Sequence, residues 1–176
     1  MASHEVVGKV LLTQEQIWQR AQELGAEISR DYAGEEVVLI GTLKGAVMFM
    51  ADIMKSITLD TQIDFIAASS YGSGTVSSGK VKIKKDIEID IAGKNVIIIE
   101  DIIDTGNTLK YLKDYFLSQG PKSLKICTLL DKPSRRTADV AGDYIGFTVE
   151  DLFVIGYGLD FDQKYRNLPY ISYLEG

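Results

Sequence analysis

Three carboxylates and a run of small polar residues stand together in this chain: Glu100, Asp101 and Asp104, then Thr105-Gly106-Asn107-Thr108. A turn of that composition at the start of a helix offers backbone N–H groups and two hydroxyls, the donors that a phosphate monoester accepts. Glu100 and Asp101 are adjacent, so an extended backbone turns them to opposite sides. There they can flank a polyol such as ribose and accept hydrogen bonds from its hydroxyls. Three acids beside a phosphate repel it unless a divalent cation intervenes, which points to magnesium. The plainer account is a solvated acidic strand end with an ordinary helix cap at Thr105.

Elements on both sides must hold these groups in place. Val96 to Ile99 is a continuous β-branched run, which predicts a strand buried on both faces. Leu109, Leu112 and Phe116 fall on one stripe of a helix that ends at Gln119-Gly120-Pro121. The acids and the turn therefore sit where a strand's carboxyl end meets a helix's amino end, the usual ligand edge of an open α/β sheet.

Upstream, Thr13 to about Tyr32 reads as a helix. Thr13 caps it, Gln16 completes a capping box, Ile17, Ala21, Leu24 and Ile28 form its apolar stripe, and Gly34 ends the segment. Glu36 to Ile40 is a strand. A second helix from about Ala46 to Ser56 turns Val47, Met50, Ile53 and Met54 inward. Met48 and Phe49 make it apolar nearly all round, which suits either core or a subunit interface.

Ile63 to Ser70 is another strand, followed by a Gly/Ser stretch from Tyr71 to Lys80 that reads as a hairpin tip or as a lid. Val81 to Ile91 alternates apolar and charged residues, the pattern of half-buried antiparallel structure. Ser123 to Leu130, Phe147 to Val149 and Leu152 to Ile155 are further strands, and a polar, aromatic tail follows. The alternation of strand and helix predicts one parallel-sheet α/β domain over residues 1–176.

With 176 residues, 45% hydrophobic and 25% charged, the chain suits a soluble globular domain. The net charge of −6 disfavours a sequence-independent nucleic-acid binder. The single cysteine, Cys127, lies in an apolar run and is expected to be a strand-core thiol. It leaves no partner for an intramolecular disulfide, which fits a reducing compartment. No apolar run is long enough for a membrane span or signal peptide, so a cytoplasmic protein is expected.

Other phosphate and nucleophile motifs are absent. There is no Walker A loop, Tyr71-Gly72-Ser73-Gly74 lacks the third glycine of a dinucleotide fingerprint, and no serine-hydrolase elbow occurs. The one histidine, His4, lies near the amino terminus, away from any of these segments.

Ile98-Ile99-Glu100-Asp101-Ile102-Ile103-Asp104-Thr105-Gly106-Asn107-Thr108 resembles the phosphoribosyl-diphosphate motif of type I phosphoribosyltransferases, in the form found in the hypoxanthine-guanine phosphoribosyltransferases. The likeness runs from about Val38 to Tyr173. Leu43-Lys44-Gly45 is similar to the family's pyrophosphate loop, and Ser70-Tyr71 opens the segment of its flexible catalytic loop. Lys132, Phe153, Val154, Asp160 and Arg166 fall in order where the family has its purine-site and pyrophosphate-site residues. The resemblance implies the type I fold, a central parallel sheet flanked by helices with a small hood and a flexible loop.

The same resemblance implies roles. Glu100 and Asp101 hold the ribose hydroxyls, directly or through magnesium, and Thr105, Gly106, Asn107 and Thr108 wrap the 5′-phosphate, Asn107 mainly through its backbone. Asp104 lies near purine N7 as general base or acceptor. Lys132 donates to the 6-oxo oxygen, which favours hypoxanthine and guanine over adenine. Phe153 stacks on the base and Val154 meets its edge through the backbone. Asp160 binds a second magnesium on the pyrophosphate at the purine side, and Arg166 neutralises that leaving group. The Leu43–Lys44 peptide can be cis. The implied reaction transfers phosphoribose from 5-phosphoribosyl 1-diphosphate to N9 of a 6-oxopurine under the Tyr71 to Lys80 lid, in a homodimer or homotetramer. The alternatives are a xanthine-preferring transferase and a non-catalytic regulator that senses the donor and binds nucleic acid.

Overall fold

The computed structural model describes residues 8–70 and 80–175. In chain order its elements are β1 (Lys9–Leu12), α1 (Gln14–Asp31), β2 (Val37–Thr42), α2 (Val47–Ser56), β3 (Thr61–Ser70) and β4 (Val81–Lys85). They continue with β5 (Asn95–Ile103), α3 (Asn107–Leu117), β6 (Ser123–Asp131), a 3₁₀ turn (Pro133–Arg135), β7 (Tyr144–Thr148), β8 (Phe153–Ile155) and β9 (Ile171–Leu174). The capping box forms as expected: Gln16 N–H donates to Thr13 Oγ1 at 3.2 Å and Thr13 N–H to Gln16 Oε1 at 2.9 Å. Such a cap is worth about 1 kcal/mol to the helix.

Six strands lie in the order β4-β3-β2-β5-β6-β7, all parallel except the β3–β4 pair. Helices cover both faces, so the central strands carry no polar side. Alternation along β5 divides the core: Ile97 and Ile99 pack with α1 and α2, while Val96 and Ile98 pack with α3 through Leu109, Leu112 and Phe116. Cys127 is fully buried with the first group, and burial pushes its thiol far above the ordinary value. The smaller sheet, β1-β9-β8, is antiparallel. It is the hood, and two of its three strands come from the two ends of the chain.

Three expectations change. In α2 it is Phe49, Met50 and Ile53 that are buried, whereas Val47 and Met54 are 42% and 38% exposed. The inward stripe starts at Ala46 and runs 46, 49, 50, 53, so 47 and 54 fall on its flank. The alternating segment after the Gly/Ser stretch keeps a ladder only over Val81–Lys85. Beyond it Asp64 Oδ2 captures the N–H groups of Glu88 and Ile89 at 2.7 and 3.0 Å, which ties the chain to β3 by side chain instead of by backbone pairing. The strand before the acids also does not stop at Ile99: β5 continues through Glu100 and Asp101 to Ile103.

Burial opposes ionised Asp64, but the N–H groups of Ile89, Glu88 and Phe65 and the charge of Lys85 outweigh it and hold the carboxyl below its usual value of 3.8. A depressed folded value adds stability that is present above the unfolded value and is lost as pH falls through the folded one. Asp64→Asn should therefore flatten the acid side of the stability curve. Urea midpoints of variant and parent should converge as pH drops from about 6 towards 3.

Candidate active site

From β2 the chain crosses through α2 to β3, and from β5 through α3 to β6, in opposite directions along the sheet. The carboxyl ends of β2 and β5 are thus neighbours at the point where the strand order reverses, which opens a crevice between them. A cavity of ≈ 240 Å³ lies there, with Thr42, Gly45, Glu100, Asp101, Asp104 and Thr108 in its lining.

Within it Thr42 Oγ1 donates to Glu100 Oε1 at 2.7 Å, and Asp101 N–H donates to the same oxygen at 3.0 Å. Asp101 Oδ1 accepts from Ile102 N–H at 2.7 Å. The Glu100 carboxyl is held well above the usual carboxylate range, first by burial and then by the neighbouring Asp101 charge, with Thr42 acting in the opposite direction. A cation beside this pair would offset both effects by its attraction to the carboxylates.

The turn that follows is built by the backbone. Gly106, at φ 84°, is the N-cap of α3, and no side chain caps the helix. The Thr105 cap of the plainer account is therefore absent, and the first N–H groups of α3 remain for a ligand. From outside, Thr137 and Ala138 N–H groups donate to the Thr105 carbonyl at 3.0 and 3.1 Å. Arg136 adds a bond to the Asp104 carbonyl at 3.1 Å and an ion pair with Asp131.

Across the crevice the Leu43–Lys44 peptide is cis. A Cβ at Gly45 would overlap Asp101 Oδ2 and force that carboxylate to move, and a Cβ on Gly158 would overlap the Gly45 carbonyl. Lys44 Nζ lies 3.3 Å from Gln163 Oε1, which also accepts from Arg166 Nη2 at 3.1 Å. Arg166 Nη1 donates to the Gly158 carbonyl at 2.7 Å, and its Nη2 is 3.4 Å from Asp160 Oδ1. Ser70 is the exposed last residue of β3. Tyr71, and the lid stretch up to Gly79, fall outside the described residues.

Lys132 is buried, with Nζ donating to the Leu152 carbonyl at 2.8 Å. Phe153 is 53% exposed and meets the half-exposed Phe161 edge-on, with centroids 5.6 Å apart at 88°. Val154 is buried in β8. Lys132, Phe153, Val154, Asp160 and Arg166 do not line the β2–β5 cavity itself. They adjoin it through the Lys132 N–H bond to the Ile103 carbonyl (2.9 Å) and through the Gly45–Gly158 approach. Thr42, Arg135, Arg136, Phe161 and Gln163 belong to the same surroundings and were not anticipated. Only the position of Thr42 at the end of a buried strand offered a signal. No cluster of three or more metal-binding side chains occurs among the described residues. Glu100 and Asp101 fit magnesium in its common manner, one or two carboxylates with the rest from substrate phosphates and water.

A doubly covered parallel sheet with carboxylates and an uncapped helix start at its switch point defines a class, and the comparisons agree: the chain belongs to the phosphoribosyl transferase family, whose domain model matches residues 8–162. Its relatives at about half identity are hypoxanthine-guanine phosphoribosyltransferases. That of Bacillus subtilis is 51% identical over 175 residues, 99% of this chain and 97% of the relative. That of Streptococcus thermophilus is 50% identical over 169 residues, 96% and 94% of the two chains. The crystal structure of a hypoxanthine phosphoribosyltransferase from Staphylococcus aureus aligns with TM-score 0.95 at 48% identity, over 99% of this chain and 95% of that one. A hypoxanthine-guanine phosphoribosyltransferase from Bacillus anthracis gives 0.92 at 51%, over 96% and 99%.

Gly158 has φ 98° and no room for a side chain, whereas Gly120 has φ 74° and open space around it. Gly120→Ala should cost about 1 kcal/mol from backbone conformation alone. Gly158→Ala should cost more, about 2–4 kcal/mol in urea denaturation, because it also forces the two loops apart.

Proposed function

We propose that the protein transfers the 5-phosphoribosyl group from 5-phosphoribosyl 1-diphosphate to N9 of hypoxanthine or guanine, releasing diphosphate, as a purine-salvage enzyme. The observation that carries this is the pairing of β5 with β6, where Ile103 stands opposite Asp131. It makes Asp104 and Lys132 neighbours at adjacent strand ends, next to the uncapped start of α3. An acceptor suited to N7–H and a donor suited to a 6-oxo oxygen thus stand side by side. On the purine these two atoms also share one edge.

In the reaction the C1′–oxygen bond breaks with its electron pair leaving on diphosphate, and N9 forms the new bond to C1′. Asp104 takes up the proton from N7 as the ring gains charge. Glu100 and Asp101 orient the ribose hydroxyls, while backbone and hydroxyls of Thr105 to Thr108 hold the 5′-phosphate. Leu43, Lys44, Gly45 and Arg166, with Ser70 and Tyr71 at the lid, take the diphosphate. Magnesium held at Glu100 and Asp101, and a second ion at Asp160, would neutralise charge on the donor and its leaving group. Lys132 reads the 6-oxo group, Val154 the base edge, and Phe153 stacks on the ring, with Phe161 as an edge-on support for it. Residues 1–176 act as one domain. The exposed Val47 and Met54 with half-buried Met48 suit the interface of a homodimer or homotetramer.

The direct test is nucleotide formation from the donor, magnesium and each of hypoxanthine, guanine, xanthine and adenine. Hypoxanthine and guanine should react, with adenine at least about 100-fold poorer in kcat/KM, because its amino group offers Lys132 a donor instead of an acceptor. No product from any base would end the proposal. Asp104→Asn should lower kcat by about 10²–10⁴-fold with donor KM nearly unchanged; equal turnover would remove the general base from Asp104.

A further inference from the structure

The Asp104 side chain is held by a partner within the protein. Its Oδ1 accepts from Arg135 Nε at 2.8 Å, and Arg135 ends the 3₁₀ turn that directly follows Lys132. Arg135 Nη1 lies 3.8 Å from Asp151 Oδ2, and the other Asp151 oxygen lies 3.7 Å from Lys132 Nζ. Four groups of alternating charge therefore run Asp104–Arg135–Asp151–Lys132. The chain starts at the acid facing N7 and ends at the cation facing the 6-oxo group.

Stability does not account for this arrangement. The Asp104 and Arg135 side chains are 43% and 48% exposed, and pairs so exposed add little to folding. Nor is Arg135 needed to shape the turn. Arg136 holds the Asp104 and Ile103 carbonyls at 3.1 and 3.4 Å and the Val140 carbonyl at 2.9 Å, while Thr137 and Ala138 hold Thr105. What Arg135 fixes is the Asp104 side chain.

We propose that Arg135 is a positioning residue for the transfer reaction. Its guanidinium sets the rotation of the Asp104 carboxylate by engaging Oδ1, which leaves Oδ2 to meet N7–H. Through Asp151 it also keeps that acid in register with Lys132. The planar fork of arginine suits the task, since two nitrogens in fixed relation address Asp104 and Asp151 together; an ammonium is a single point of charge and addresses one of them. This inference rests on the purine phosphoribosyltransferase reading of the site.

The test compares the parent, Arg135→Met, Arg135→Lys, Asp104→Asn and the Arg135→Met/Asp104→Asn double variant, with hypoxanthine, the donor and magnesium. Misplacing a catalytic group costs about 10–100-fold, so Arg135→Met should lower kcat by that factor with donor KM within about twofold. Arg135→Lys should recover only part of the loss. In the Asp104→Asn background the added loss from Arg135→Met should be under about twofold, because both changes act through one carboxylate. An equal loss in both backgrounds, or an unchanged kcat for Arg135→Met beside an active parent, overturns the positioning role and leaves the reaction assignment standing. A parent inactive with every base overturns both.

Discussion

Everything at this site depends on two parallel strands that lie side by side and send their chains away in opposite directions. Hydrogen bonding holds β2 and β5 at ladder distance, so their ends cannot separate, yet α2 and α3 diverge to opposite faces and leave a crevice above them. Crowding follows from the same geometry. Glu100 is close enough to Thr42 to accept a hydrogen bond from its hydroxyl, and Asp101 comes so near the neighbouring loop that any side chain at position 45 would displace its carboxylate. Burial and the neighbouring Asp101 charge together make Glu100 resist ionisation. A fold that keeps the two acids there has prepared a place for positive charge.

A second layer of support comes from elements remote in sequence. The 136–140 segment moulds the turn after β5 from behind, and the hood turn at Gly156–Gly158 presses on the loop at Gly45. Tyr157 of that turn adds a hydrogen bond to Asp52 of α2. The positive φ angles at Tyr157, Asp162, Gln163 and Tyr165 are concentrated there, where a short hairpin between Phe161 and Lys164 carries the second aromatic ring next to Phe153. Backbone held in sparsely populated regions is typical of segments that must present particular atoms.

Much of this was legible in the chain itself. The β-branched run at Val96, the capping pair Thr13 and Gln16, and the stripe Leu109, Leu112, Phe116 were readable because each is a local pattern with one physical solution. The acids and the small polar turn stood out by composition, but that pattern also fits a solvated strand end, so the residues alone left two solutions open. Val47 and Met54 were misread because α2 is apolar nearly all round, and periodicity then cannot choose a face. β1 and β9 went unseen because four-residue strands in a small hood have too little alternation to stand out. Asp64, Arg135 and Gln163 also reach residues distant in sequence, at Glu88 and Ile89, at Asp104, and at Lys44, and nothing in their immediate neighbours signals those partners.

The hood joins the first strand of the described chain to the last: Lys9 pairs with Tyr173, and β9 in turn pairs with β8, which carries Phe153. Closing that ladder spans almost the entire length of the polypeptide, whereas the crevice between β2 and β5 needs partners no more than about sixty residues apart. During synthesis the half that forms the crevice can therefore assemble while the carboxyl-terminal strand is still unmade, and the sheet that carries Phe153 is completed only when Ile171–Leu174 has emerged. The crevice and the hood are thus separated in the order of folding as well as in space.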